Sequence, residues 1–157
     1  MKLHVDWTRP FQLRVAKKTE NLIYNLDLKK ISTGAGVYIF GRRWGSQFEA
    51  LYVGKASNLR SRIKGHLNNL RLMQHLKNAK TGKRIVLAGR MMTKPGQQMG
   101  KCLILVERAL IRYFMSEGND LVNKQGTRLS RHEVISDGTH PKRYFQRVMF
   151  VEKAKGE

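Results

Sequence analysis

Two short apolar runs constrain this chain most: Val37-Tyr38-Ile39-Phe40, entered from Gly36, and Ala50-Leu51-Tyr52-Val53, left through Gly54. β-Branched and aromatic residues suit a pleated, half-buried surface, so both runs read as strands. The polar stretch 41–49 between them, holding Arg42, Arg43 and Trp44, reads as a loop, and the pair as an antiparallel hairpin. Side chains alternate faces along a strand. Tyr38 therefore opposes Val37 and Ile39, and Tyr52 opposes Leu51 and Val53. With the aliphatic residues on the core side, both phenols share the other face, where they can reach one phosphate. Taken alone, two such tyrosines read more readily as ordinary cross-strand packing.

Helical patterns follow. Ser57 suits the N-cap of a helix over 58–70, in which Leu59, Ile63, Leu67 and Leu70 form one apolar stripe. A second helix is expected over 71–79, then a third strand from 84–88 toward Met92, ended by Lys94-Pro95-Gly96. The best helical pattern covers 101–116, with Leu103, Ile104, Leu110, Ile111 and Phe114 on its buried face and Gly118 as its stop. Residues 10–30 read as strand or turn followed by a short helix, and 147–151 as a late strand. The order β-β-α-(α)-β-α makes this an α/β or α+β chain, of a length suited to one domain.

Charge bounds the partner. Lys and Arg number 31 against 11 Asp and Glu, a formal +20 over 157 residues. Self-repulsion on that scale points to a polyanion, nucleic acid ahead of an acidic membrane surface. Charge alone does not separate an enzyme from a binding module. No apolar stretch nears the ~20 residues of a membrane span, and 1–10 lacks the apolar core of a signal peptide. The single cysteine, Cys102, excludes a disulfide framework and reads as core filler. A soluble, cytoplasmic protein is expected.

Several polar residues are placed for chemistry. Arg62 and His66 lie four apart and so share a helix face, with Lys55 at the turn where strand becomes helix. Arginine braces phosphate through paired hydrogen bonds, and imidazole accepts or shuttles a proton near neutrality. Arg60 and Lys64 point elsewhere, to solvent or to a DNA backbone. Glu107 falls on the apolar stripe of the 101–116 helix, where a carboxylate is costly unless paired or metal-bound. It is either ion-paired internally, with Arg62 as partner, or a ligand for a hard divalent cation such as Mg2+. Gly54-Lys55 is not a phosphate loop, because Glu49 and Ala56 stand where that motif needs Gly and Ser or Thr. His75, His132 and His140 read as surface residues.

In order along the chain, Gly36-Val37-Tyr38 and Tyr52-Val53-Gly54 resemble the two halves of the GIY-YIG nuclease signature. The stretch 51–62 resembles the nuclease segment of the UvrC repair family. The resemblance spans 33–126 and makes Arg62, His66, Glu107 and Asn123 the matching site positions. It implies a small, mainly antiparallel three-stranded sheet flanked by helices, with 1–32 as an N-terminal extension and 127–157 as a C-terminal extension that packs on the core or contacts DNA. It also implies a DNA endonuclease of the restriction, phage or mobile-element kind, acting on double-stranded DNA with Mg2+ or Mn2+. The implied catalytic set is Tyr38, Tyr52, Lys55, Arg62, His66, Glu107 and Asn123, with Glu107 on the metal. Tyr38 is the favoured activator of water, helped by Tyr52, Lys55 or His66. Arg42, Arg43, Arg60, Lys64, Lys83 and Arg84 are the expected nucleic-acid contacts. The interval between the signature halves is longer than is usual, and no zinc-binding cysteines accompany them. A dimer is compatible with cutting a palindrome. The competing readings are an inactive nucleic-acid-binding module and a nuclease for RNA or single-stranded DNA.

Overall fold

The hairpin is longer and tighter than its apolar runs suggest. In the computed structural model, which describes residues 1–123, 127–139 and 142–153, its strands cover Gly36–Trp44 and Gln47–Ala56. Only Gly45 and Ser46 form the turn, with Gly45 at φ 55°, so the expected loop 41–49 is mostly strand. Register explains this: Arg42 faces Glu49 directly across the ladder, and the two side chains form an ion pair at 2.6 Å. A cross-strand pair of opposite charges supports a polar strand that its composition does not announce.

In chain order the strands are β1 (His4–Trp7), β2 (Phe11–Gln12), β3 (Arg14–Val15), β4 (Tyr24–Asn25), β5 (Gly36–Trp44), β6 (Gln47–Ala56) and β7 (Lys83–Met92). They continue with β8 (Val122–Asn123), β9 (Thr127–Arg128), β10 (Arg131–Ile135) and β11 (Val148–Glu152). The helices are α1 (Leu59–Leu67), α2 (Leu70–Asn78) and α3 (Met99–Ser116). The main sheet runs β1-β7-β5-β6, with β2 also on β7, and every pairing in it is antiparallel. The expected three strands are its β7-β5-β6 part, with β6 at one edge. The N-terminal segment enlarges it to five by laying β1 and β2 along β7, so that segment is built into the sheet.

Both faces of the sheet are covered. One carries Tyr38, Phe40, Tyr52 and Val86 under Leu59, Ile63, Leu67, Leu72, Met73 and Leu76 of α1 and α2. The other carries Val37, Ile39 and Val53 under Cys102, Leu103 and Met115 of α3. The tyrosine face is therefore a principal core and not an open surface. Leu51 departs from simple alternation and joins the tyrosine side. The ladder passes from Phe40↔Tyr52 to Gly41↔Ala50, leaving Leu51 as the extra residue of a β-bulge.

Asparagines set the helix boundaries. Asn58, not Ser57, caps α1 by accepting the Ser61 N–H at 3.0 Å, and Asn69 caps α2 by accepting the Leu72 N–H at 3.2 Å. The expected 58–70 helix thus ends at Leu67, and Leu70 opens the next one, largely exposed. On α3, Ile104 is 46% exposed and Cys102 takes the core position. The β10–β11 ribbon leans on α3 through Phe150, which lies against Gly118 and beneath the Arg131 guanidinium. His140 lies outside the described residues. No helix among the described residues is long and apolar enough to cross a membrane.

Candidate active site

Two glycines make room for the site. Tyr38 and Gly54 face each other across the ladder, and a Cβ at Gly54 would collide with the Tyr38 hydroxyl. A Cβ at Gly36 would collide with the Gly89 carbonyl and meet Leu59 at 2.7 Å, so Gly36 lets β7 and α1 close on β5. Helix α1 then presses Leu59, Ile63 and Leu67 into the core. That rotation leaves Arg62 and His66, one turn apart, on the flank bordering a cleft of about 640 Å³.

An aromatic cluster forms the inner wall. The Tyr38 hydroxyl lies 2.5 Å from His66 Nε2. The Tyr38 and Tyr52 rings stack at 6.1 Å, and Tyr52 meets the His66 ring edge-on at 4.9 Å. Tyr38 shows no surface to solvent and Tyr52 retains 7%. Burial, aided by the Arg62 charge, pushes His66 down to about 4, so its imidazole is neutral at pH 7. In the Nδ1–H tautomer the Tyr38 hydroxyl donates and Nε2 accepts. Burial also pushes the Tyr38 phenol well above its ordinary range, and Tyr52 adds to this while Arg62 opposes it. The hydrogen bond to Tyr38 in turn holds Arg62 more firmly in its charged form.

Charged groups form the outer rim. Lys55 projects from β6, within the strand and opposite Val37, rather than from the turn after it. Its Nζ lies 2.7 Å from Glu107 Oε2 of α3. Glu107 thus stands at the margin of the core, its side chain 22% exposed, and its ion-pair partner is Lys55 rather than Arg62. Among the described residues it is the one carboxylate lining the cleft. Among the described residues no three His, Cys, Asp or Glu side chains gather into a metal-holding group. A lone carboxylate does not suit zinc, which takes three or four protein ligands. It does suit magnesium, which keeps several waters and fills its sphere with substrate phosphate oxygens.

Six of the seven expected catalytic residues meet in this cleft: Tyr38, Tyr52, Lys55, Arg62, His66 and Glu107. The seventh, Asn123, is buried behind β6, where its Oδ1 accepts the Val53 N–H at 3.1 Å. It supports the strand between Tyr52 and Gly54 and does not line the cleft. Ser61, Gly65 and Asn69 line the cleft and were not anticipated. Their spacing of four, beside Arg62 and His66, was the available signal of a polar helix flank.

The expected nucleic-acid contacts divide. Arg43, Lys64 and Lys83 are exposed. Arg42 is 7% exposed, paired with Glu49, bonded to the Thr81 carbonyl at 2.7 Å and stacked on Trp44 at 3.7 Å. Arg60 donates to the Ile31 and Lys29 carbonyls, bracing the N-terminal segment. Arg84 donates to the Leu76 and Ala79 carbonyls and so closes the C-terminal end of α2. These three guanidiniums are committed within the fold, because free carbonyls and a cross-strand carboxylate lie within their reach. His75 is half-buried rather than on the surface, and its Nε2 has no hydrogen-bond partner among the described residues. Comparison with known proteins finds no family model, no curated protein and no solved structure that matches this chain.

Proposed function

We propose that this chain is a metal-dependent endonuclease that hydrolyses phosphodiester bonds in double-stranded DNA. The observation that carries the reading is the convergence of two tyrosines, a neutral histidine, an arginine, a lysine and one carboxylate in a single cleft. These residues come from β5, β6, α1 and α3, and they match the positions that resemble the GIY-YIG nucleases. The formal +20 supplies the attraction for a polyanion.

Glu107 is the residue that would hold the Mg2+ or Mn2+ ion. When bound, the ion supplies Lewis-acid stabilisation of the scissile phosphate and its leaving oxygen. Arg62, charged at any working pH, donates hydrogen bonds to the phosphate oxygens as negative charge builds there. Tyr38 is sealed from solvent in the free protein, so the part of meeting water passes to Tyr52. The attacking water gives its proton to the Tyr52 oxygen, Tyr52 passes its own to Tyr38, and Tyr38 passes its own to His66 Nε2. The imidazole is neutral and so able to take that proton, and the charge of the bound phosphate has to offset the burial and the Arg62 charge that disfavour its protonated form. No free phenolate is required, which suits a Tyr38 whose ionisation burial opposes.

The test is cleavage of supercoiled plasmid with Mg2+, comparing wild type with Glu107→Ala. Nicking or linearisation that falls by roughly 10³-fold in the variant is expected for loss of the dominant electrostatic group. Binding without cutting, equal in both proteins, overturns the reading in favour of an inactive binding module. Cutting confined to RNA or single strands, run in parallel, overturns the duplex assignment.

A further inference from the structure

We infer that Lys55 holds the place of the metal ion in the free protein, so that metal and DNA load together. This rests on the proposed metal-dependent cleavage. The Lys55 ammonium lies 2.7 Å from Glu107 Oε2 and already neutralises that carboxylate. The partners come from β6 and α3, 52 residues apart, so the pair exists only because the fold brings those elements together. Lys55 is 39% exposed along its side chain against 22% for Glu107. The flexible lysine has room to swing outward, while the less exposed carboxylate stays in place on the rim.

A cation entering the empty cleft meets three obstacles. Among the described residues one carboxylate lines the cleft, and a magnesium-like ion must take its remaining oxygens from elsewhere. That carboxylate is occupied by an ammonium. The whole chain repels cations at a formal +20. A DNA phosphate removes all three at once: its oxygens complete the coordination sphere, its charge offsets the local field, and it offers Lys55 a second anionic partner. Lys55 then leaves Glu107 for the phosphate as the metal takes the carboxylate. Coupling between two ligands is reciprocal, so DNA tightens metal binding by the factor by which metal tightens DNA binding.

The experiment is a Mn2+ titration of the full chain, read by the spin-resonance signal of free Mn2+. Wild type, Lys55→Met and Lys55→Gln are compared without DNA. Each is then repeated with duplex DNA in a Tyr52→Phe background that slows cleavage, after subtracting Mn2+ held by DNA alone. Lys55→Met is expected to tighten Mn2+ binding in the absence of DNA by on the order of 5- to 150-fold, the usual span of such couplings. Duplex DNA is expected to tighten wild type more than Lys55→Met. Lys55→Gln reports the same comparison should the methionine variant fail to fold. Equal Mn2+ affinity in wild type and both lysine variants overturns the inference. A Glu107→Gln control separates the two levels, since Mn2+ binding that survives it overturns the metal reading itself.

Discussion

The two walls of the cleft differ in what holds them. The inner wall of Tyr38, Tyr52 and His66 is buried, ring-stacked and packed under α1. The outer rim of Lys55, Arg62 and Glu107 is partly wet and joined by one ion pair. Burial sets the protonation of the inner wall before any substrate arrives, pushing His66 down and Tyr38 up. The rim is free to exchange partners, because a solvent-screened pair contributes little to folding. The fold therefore spends its rigidity on proton positions and leaves its charge positions adaptable.

The largest expected effect lies on the inner wall. Tyr38→Phe and Tyr52→Phe should each slow single-turnover cleavage by roughly 10²- to 10⁴-fold. The double variant should be little worse than either, because links of one relay act as a unit. Multiplicative losses would show two separate roles and dissolve the relay.

Acid stability comes next. The folded pKa of His66, about 4, lies below its ordinary 6.5. Below pH 6.5 the unfolded chain therefore binds a proton that the folded chain does not. Stability is at its full value above that pH and falls as pH drops toward 4, by up to ~3 kcal/mol. His75, also depressed by burial, adds in the same direction. Urea midpoints at pH 7 and pH 4.5 measure the loss, and His66→Gln should flatten much of it. An unchanged slope in that variant would mean the inner wall is no drier than the rim.

Asn123→Ala is expected to cost ~1–3 kcal/mol by stranding the buried Val53 N–H. Its cleavage rate should stay near wild type at temperatures where the variant is folded. A rate loss without a stability loss would return Asn123 to the site. The smallest effects belong to the exposed basic residues. Arg43→Ala, Lys64→Ala and Lys83→Ala should each change stability by less than ~0.5 kcal/mol. Each should lower the salt slope of DNA binding by ~0.9 wherever it neutralises a phosphate. A steeper loss from Arg42→Ala would come from folding, since that side chain is buried against Glu49.

The hairpin shows how far the sequence could be read. Its apolar centres stood out because alternation and β-branching are local signals. Its outer halves did not, since Arg42 and Glu49 look like loop until the register sets them opposite each other. Leu51 read as alternating because a bulge is a property of the ladder and not of one strand. Strand β1 alternates His4 and Asp6 with Val5 and Trp7 over only four residues, too short a pattern to mark the edge of a sheet. At the site, four-residue spacing put Arg62 and His66 on one flank, and helical phase put Glu107 near the core.

By itself the sequence determined the inventory of chemical groups, their order along the chain, and, away from the bulge at Leu51, their direction within the central strands and helices. Those follow from backbone periodicity, which is local. The tertiary structure decided that Glu107 pairs with Lys55, that Asn123 supports a strand, that Arg42, Arg60 and Arg84 turn inward, and that Tyr38 is sealed from water. Each of these depends on what a neighbouring element brings within a few ångströms. Desolvation and charge pairing act over that distance in space, whatever the separation in sequence.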